Sequence, residues 1–457
     1  MMTFDRVLPE LLRVCEADPG FDAVSGVVRA SAVRDPHGRV RLVLAPSPGQ
    51  TEAIIDALKI RLEATLIAEL EEFFVRPILT TRDDRSGGKI ARALLEKSEG
   101  WADAAYDDPV HGSSVKPPEG RWRLMERRVT KQGWLDTKEG EELWPLIAGQ
   151  PPVVTFYSFK GGVGRTTALV SCALQLAQQG KRVAVLDLDL EAPGLGPLLG
   201  VDTDRGILDA IVDHLATGRI DLDGLHTPPQ ILGTSLADRI DVFPAGRLDR
   251  NFLEKLARLD FSAADPWGDA ETIPVHRALR ALIKKVRADL SPDYILLDAR
   301  AGLHDIAGLS LHGLAHVDVL VTRASEQAYQ GLNLTVNALG RRKSADKLRC
   351  VTVHGFAPPD PESPEGKAEN TEMLEQAYAI FSNHVYKQLA DSDVPSEDDE
   401  LGAHWPWALK RNPNLERFGS IASVLEDLRT EQHARLLHRI VELCLPEDST
   451  PDGESRS

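Results

Sequence analysis

Between Val153 and Thr167 the chain reads VVTFYSFKGGVGRTT: an apolar, β-rich run, then three glycines around a single valine, then two hydroxyl residues. No other stretch confines the possible fold so tightly. Gly161, Gly162 and Gly164 let the main chain curl until successive N–H groups point into one concavity. A helix that starts directly after them adds the positive end of its dipole at the same spot. A phosphate fits there. Arg165 and Thr166 fill the positions at which a P-loop carries its cation and its magnesium-binding hydroxyl. Two departures from the general pattern stand out: Phe159 replaces the first glycine, and Arg165 replaces the lysine. An additional lysine, Lys160, precedes the glycines.

The flanking sequence supplies the strand and helix that such a loop requires. Residues 152 to 157 predict a buried strand, and Ala168, Leu169, Cys172 and Leu176 have the spacing of a helix over 166 to 179 that Gly180 can stop. Val183 to Leu188 predicts a second buried strand, running into Asp187, Leu188 and Asp189. Tyr294 to Leu297 predicts a third, ending in Asp298. Carboxylates at the ends of apolar strands fit an α/β fold with a mostly parallel twisted sheet, helices on both faces, and ligands at the carboxyl edge.

With KGGVGRTT at 160 to 167, VAVLDLDLEAPG at 183 to 194 and YILLDARAG at 294 to 302 in this order, the chain resembles the ParA/MinD family of deviant Walker A ATPases, within the SIMIBI class of P-loop proteins. The resemblance spans about residues 150 to 445 and is nearest to the subgroup whose loop reads SFKGGVGR and whose second switch reads DxRxG. It implies ATP and Mg²⁺ as cofactors and an ATP-dependent homodimer. Lys160 would reach the nucleotide held by the other subunit. Gly161, Gly162, Val163, Gly164 and Thr167 would complete the phosphate loop, with Arg165 at the β- and γ-phosphates and Thr166 on the metal. Asp189 would orient the attacking water and hold Mg²⁺ through water, Asp298 would close the Walker B strand, and Gly302 would offer its amide to the γ-phosphate. Catalysis at such a site is mostly positioning and charge stabilisation. Because a guanidinium is a wide planar fork rather than a compact ammonium, Arg165 implies slow or partner-stimulated hydrolysis.

The nucleobase leaves a fainter trace. No NKxD-type guanine motif follows the later strands, which favours adenine, and the position at which relatives place a base-contacting Asn falls on His354. Phe356, Pro358 and Pro406 are candidates for the walls of the base pocket. His354 has an equally ordinary reading as a strand-end histidine. Arg300 reads either as a charge for phosphate or partner subunit or as a salt-bridged loop residue, and Asp187 as a structural carboxylate.

The four cysteines, Cys15, Cys172, Cys350 and Cys444, are scattered with no CxxC pair, so neither a zinc site nor a disulfide framework is indicated. That usage suits a reducing cytoplasm. A formal charge of −17 disfavours general binding to nucleic acid or anionic membrane. No apolar span is long enough for a membrane, and the segment after the last helix, PEDSTPDGESRS, is acidic rather than a basic membrane anchor. His312 and His316, four apart with His304 upstream, lack a carboxylate or cysteine at matching spacing and do not predict a metal face.

Four regions follow along the chain. Residues 1–109 predict a small α/β domain of unknown role, with helices near 4 to 15, 50 to 74 and 89 to 97, and a hairpin of strands 23 to 30 and 39 to 45 around Asp35-Pro36-His37-Gly38. Residues 110–149 form a linker and an arm, RWRLMERRVTKQGW at 121 to 134, whose tryptophans either stack on nucleic acid or, as the net charge favours, pack on the protein itself. Residues 150–445 carry the P-loop domain, in which helix 371 to 390 leads into an acidic loop at 391 to 400 and the last helix covers about 421 to 445. Residues 446–457 predict a disordered acidic tail.

The function expected is an ATP-binding and ATP-hydrolysing dimerisation switch, cytoplasmic, that regulates an unidentified protein partner in a bacterial regulatory or defence system. A partitioning ATPase acting on DNA and a non-hydrolysing nucleotide-bound scaffold are the alternatives. A tyrosine kinase on the same fold ranks last, since no tyrosine follows Tyr386.

Overall fold

The computed structural model describes residues 2–21, 30–83, 86–101, 106–108, 113–115, 117–118, 120–135, 145–230, 232–259, 261, 273–342, 348–417 and 420–446. The chain forms two compact units, Met1–Val129 and Thr130–Ser457.

In the first unit, helix α1 (Phe4–Ala17) and helix α2 (Glu52–Leu70) cover a five-stranded sheet. Its strands are β1 (Ala30–Arg34), β2 (Val40–Leu44), β3 (Leu79–Thr80), β4 (Glu99–Gly100) and β5 (Trp122–Glu126), in the order β3-β2-β1-β5-β4; helix α3 (Ser86–Lys97) lies between β3 and β4 in the chain. The hairpin forms as expected around Asp35, whose Oδ1 accepts the amides of His37 (2.9 Å) and Arg39 (3.0 Å). Its first strand is displaced: β1 begins at Ala30, and the expected strand at 23 to 30 otherwise lies outside the described residues.

The segment expected to be a connecting arm is divided by the fold. Trp122–Glu126 pairs in parallel with β1 at the centre of the first unit's sheet. Trp122 is 2 % exposed, stacks on Phe21 at 5.6 Å and donates its indole N–H to Glu16 at 2.7 Å. Its buried ring and satisfied donor make it a core residue, not a stacking platform for bases. Lys131 and Trp134 belong to the second unit.

The second unit is built on seven strands: β6 (Val153–Tyr157), β7 (Val183–Leu188), β8 (Ile240–Phe243), β9 (Tyr294–Ala299), β10 (Val317–Thr322), β11 (Cys350–Ala357) and β12 (Pro406–Lys410). The order is β8-β7-β9-β6-β10-β11-β12 and every pairing is parallel. Side chains alternate across it: Val154 and Phe156 enter the core on one face, whereas Val153 and Tyr157 enter cores on the other. A sheet covered on both faces needs the near-continuous apolar strands the sequence supplies. The helix after the glycine loop, α4 (Arg165–Gln178), packs with α5 (Glu431–Leu443) over the first face. The helix expected over 421 to 445 is broken, with short 3-10 turns at Ile421–Val424 and Asp427–Arg429 before α5 starts at Glu431. The helix expected from 371 runs instead over Pro364–His384, begun by Ser363, whose hydroxyl accepts the Gly366 amide. Segment 391 to 400 is mostly exposed loop.

Two glycines set how closely the sheet edge approaches the loop. A Cβ at Gly355, near the end of β11, would lie 2.1 Å from the Val163 carbonyl oxygen, and one at Gly331 would lie 2.0 Å from the Phe159 ring. Phe159 thus fills the place of the missing loop glycine by seating its ring on a glycine of the neighbouring helix. Gly355→Ala is expected to force backbone away from backbone and to lower unfolding stability by about 1–3 kcal/mol. Thermal unfolding checks this; an unchanged midpoint would rule out the close approach of β11 to the loop.

Candidate functional site

The glycine loop bridges β6 and α4. Gly162 (φ 70°) and Gly164 (φ 89°) both occupy left-handed backbone, which L-residues seldom adopt, and neither has a heavy atom within 4 Å of where its Cβ would stand. The concavity is therefore open. It leads into a cleft of about 790 Å³, lined by Gly162, Gly164 and Thr167 and by Arg323, Phe356 and Pro358. Lys160 is exposed at the rim.

Beneath the loop, two strand ends bring three carboxylates together. Asp187 and Asp298 are fully buried, and Asp189 is 7 % exposed. Asp187 accepts the main-chain amides of Asp189 (3.1 Å), Gly194 (3.0 Å) and Leu195 (3.0 Å), so it shapes the loop after β7 as a structural carboxylate. Burial, then the Asp298 carboxylate, push its pKa up to about 7 against those three donors.

Arg165 does not point into the loop. Its Nε donates to Asp298 Oδ1 at 2.7 Å and its Nη2 to Asp189 Oδ2 at 3.2 Å. The Thr166 hydroxyl donates to the other Asp298 oxygen at 2.8 Å. Burial acts to lower the Arg165 pKa, but the Asp298 and Asp189 carboxylates outweigh it and raise it. Burial raises the Asp298 carboxyl, with Arg165 and Thr166 opposing. The one guanidinium thus bonds two of these carboxylates, Asp298 and Asp189.

A second arginine extends the network. Arg300, after β9, donates from Nη1 to Asp189 Oδ1 at 3.3 Å and pairs through Nη2 with Glu191 at 2.9 Å. Asp189 is thereby held from both sides. Glu191 also accepts His304 Nε2 at 2.8 Å, while His304 Nδ1 accepts the Ile306 amide at 3.3 Å. These two partners define a neutral imidazole protonated at Nε2, in keeping with burial, which lowers its pKa. The Gly302 amide donates to the Ser158 carbonyl at 3.0 Å, and the Gly302 carbonyl accepts the Tyr157 hydroxyl at 3.2 Å.

His354 is 1 % exposed and its Nε2 meets Glu369 at 3.2 Å. Glu369, not His354, lines the cleft, together with Pro358 and Phe356, the latter at φ 55°. Pro406 starts β12 opposite Thr352 and is not among the cleft residues. Arg323, Arg411 and Glu369 escaped the sequence reading because each comes from a different element and carries no local motif. Glu191 stood inside the quoted VAVLDLDLEAPG run. His316 takes the Val153 amide at 2.8 Å and meets the Pro145 carbonyl at 3.2 Å, a structural role, and no group of three or more His, Cys, Asp or Glu among the described residues is arranged to hold a metal ion.

Comparison with known proteins agrees with this geometry. Residues 151–214 match the ParA family, described as NUBPL iron-transfer P-loop NTPase. The chain is 28% identical over 167 residues to the septum site-determining protein MinD of Helicobacter pylori, covering 36% of this chain and 50% of that protein. It is 28% identical over 218 residues to the cytosolic Fe-S cluster assembly factor cfd1 of Aspergillus fumigatus (47% and 58%) and 38% identical over 126 residues to the iron-sulfur cluster carrier protein of Haemophilus influenzae (28% and 34%). The chain thus spans between a third and three fifths of these relatives. Among solved structures, MinD with Mg-ADP from Pyrococcus horikoshii overlaps 64% of this chain and 95% of its own at 19% identity and TM-score 0.39; pNOB8 ParA bound to nonspecific DNA overlaps 64% and 98% at 19% and 0.41.

Removing Arg165 leaves buried carboxylates without their cation. Arg165→Ala is expected to cost about 3–5 kcal/mol of unfolding stability near neutral pH. The deficit should shrink on acidification. Asp298 already has a raised carboxyl pKa, and losing Arg165 raises it further, so the folded variant takes up a proton before the unfolded chain does and recovers stability as pH falls. Denaturant melts of both proteins from about pH 8 to about pH 5 check this, and a deficit independent of pH would sink it.

Proposed function

From a ParA/MinD-like P-loop unit of the SIMIBI class, we propose that this chain is an ATP-binding dimerisation switch that hydrolyses ATP slowly and regulates a protein partner. The observation that carries the reading is the convergence of Arg165, Thr166, Asp189 and Asp298 directly beneath an open glycine cradle. The residues fit a magnesium nucleotide. Gly161, Gly162, Val163, Gly164 and Thr167 would receive the phosphates, Thr166 and Asp189 would hold the metal, and Pro358 would flank the base. When bound, Mg²⁺ supplies charge neutralisation on the β- and γ-oxygens.

Binding on this reading is an exchange of partners. Arg165 would leave Asp298 and Asp189 for phosphate oxygens, and the carboxylates it vacates would be available to hold the metal. The Gly302 amide leaves the Ser158 carbonyl for the γ-phosphate. Asp189, released by Arg165 and steadied by Arg300, is then the carboxylate that orients water. Each exchange would replace one hydrogen bond by another, so that nucleotide can select between the two arrangements. The exposed Lys160 is free to serve the nucleotide of a second subunit.

Cluster carriage, which the names of two relatives suggest, finds no support in the thiols. Clusters are held by cysteine thiolates. All four cysteines here are buried, none forms a CxxC pair, and burial pushes Cys172 and Cys444 up to about 12. A partitioning role on DNA would require a basic surface, against a net charge of −17. No helix among the described residues is long and apolar enough to cross a membrane.

With MgATP, Asp189→Ala is expected to accumulate as a slowly exchanging dimer in light scattering, and Lys160→Ala to lose that dimer while still binding nucleotide. Phosphate release by the wild type should exceed the Asp189→Ala background. A wild type that binds MgATP yet releases no phosphate above it, even with a captured partner, leaves only the nucleotide-bound scaffold.

A further inference from the structure

The second switch is gripped from outside the sheet by a segment that the nucleotide chemistry does not use. Residues 130 to 135, where the chain enters the second unit, end in a short helical turn, Gln132–Leu135. Lys131 bonds twice to Asp305: its main-chain N–H donates to Oδ1, and its ammonium reaches Oδ2 at 3.1 Å. Trp134 donates its indole N–H to the His304 carbonyl at 2.7 Å and lays its ring against Tyr157, with centroids 5.7 Å apart. Tyr157 in turn bonds the Gly302 carbonyl. Gly302, His304 and Asp305 are therefore each tied, directly or through one ring, to the same six residues.

This grip is over-determined. Lys131 has φ 66°, a left-handed conformation that costs a non-glycine residue about 1 kcal/mol or more and persists only where surrounding bonds hold it. Asp305 is 3 % exposed and Trp134 7 % exposed, so the Trp134 bond and the main-chain bond of Lys131 are shielded from water, whereas the Lys131 ammonium is partly solvated. They also favour one arrangement of the switch. In it the Gly302 amide is spent on the Ser158 carbonyl and Arg300 on Asp189 and Glu191.

We infer that residues Lys131 to Trp134 form an intramolecular strap that holds the second switch in its resting arrangement, so that nucleotide triphosphate must work against the strap to draw Gly302 and Arg300 toward the γ-phosphate. The inference rests on the proposed nucleotide site. By linkage, whatever loosens the strap raises the affinity for triphosphate relative to diphosphate, and whatever binds the strap is read out at the site. Since Val129 closes the first unit, a shift of the switch is delivered to the stretch of chain that joins the two units.

The test compares the full chain with Trp134→Phe, which keeps a ring but loses the indole donor, and Lys131→Asn, which drops the ammonium at a residue type that tolerates left-handed backbone. Affinities for MgAMP-PNP and MgADP are measured by calorimetry, with tryptophan emission recorded in parallel. The triphosphate-to-diphosphate affinity ratio is expected to rise about 3- to 10-fold in both variants, the factor that one or two net hydrogen bonds are worth. The wild type should show an emission change with MgAMP-PNP that Trp134→Phe lacks. An unchanged or lowered ratio in variants that fold and bind would overturn the strap while leaving the nucleotide site intact. A wild type that binds neither nucleotide would instead overturn the site, and the strap with it.

Discussion

The buried pair of Arg165 with Asp298 is the contact around which the second unit is organised. It joins the first residue of the helix after the glycine loop to the end of one strand, and Arg165 also reaches Asp189 at a second strand end. Removing two such charges from water is costly, and the pair repays that cost only because Thr166 takes the remaining Asp298 oxygen and Arg300 the remaining side of Asp189. The cluster still carries more carboxylate than guanidinium. On the proposed reading, a metal-bound polyphosphate would take over the bonds that Arg165 and these carboxylates now make to one another.

An arginine at this position changes what the resting state is. A lysine ammonium is a point charge, which turns readily between a carboxylate and a phosphate. The guanidinium engages Asp298 with Nε and Asp189 with Nη2, so two bonds on two strands must break before it turns. The resting arrangement is correspondingly harder to leave, and on the proposed reading slow turnover would follow from that barrier rather than from a missing catalytic group. Arg300 adds to the effect by locking Asp189 from the opposite side, and Glu191 and His304 fix Arg300 in turn.

Much of this was legible in the sequence because it is local. Phosphate loops, strand-end carboxylates and the apolar runs of a doubly covered sheet are written in consecutive residues, and all three strands placed from them stand where expected. What was not legible depends on residues far apart. Trp122 and Trp134 read alike within one basic stretch, yet one completes the sheet of the first unit and the other caps the second switch. Only the tertiary partners Glu16 and His304 distinguish them. His354, expected at the base by chain position, is buried at the end of its strand, and Glu369, fifteen residues on, meets it and lines the cleft. The break in the last helix at 421 to 431 was hidden for a different reason: helical apolar spacing is preserved across the two short turns, and only the Ser420 and Thr430 breaks betray it.

The second switch therefore answers to two groups of contacts that differ in kind. From inside it is held by charge: Arg300 to Asp189 and Glu191, bonds that a nucleotide in the proposed site would compete for. From outside it is held by Trp134 and Lys131, contacts that no nucleotide touches. A switch held only from inside would report nothing beyond the occupancy of its own site. Because the outer contacts lie on the stretch of chain leading from the first unit, they can be strengthened or weakened independently of ATP concentration, and the energetic difference between resting and switched states becomes adjustable by whatever binds there. On the proposed reading of a slow ATPase used for timing, that adjustability would matter more than the rate of the chemical step.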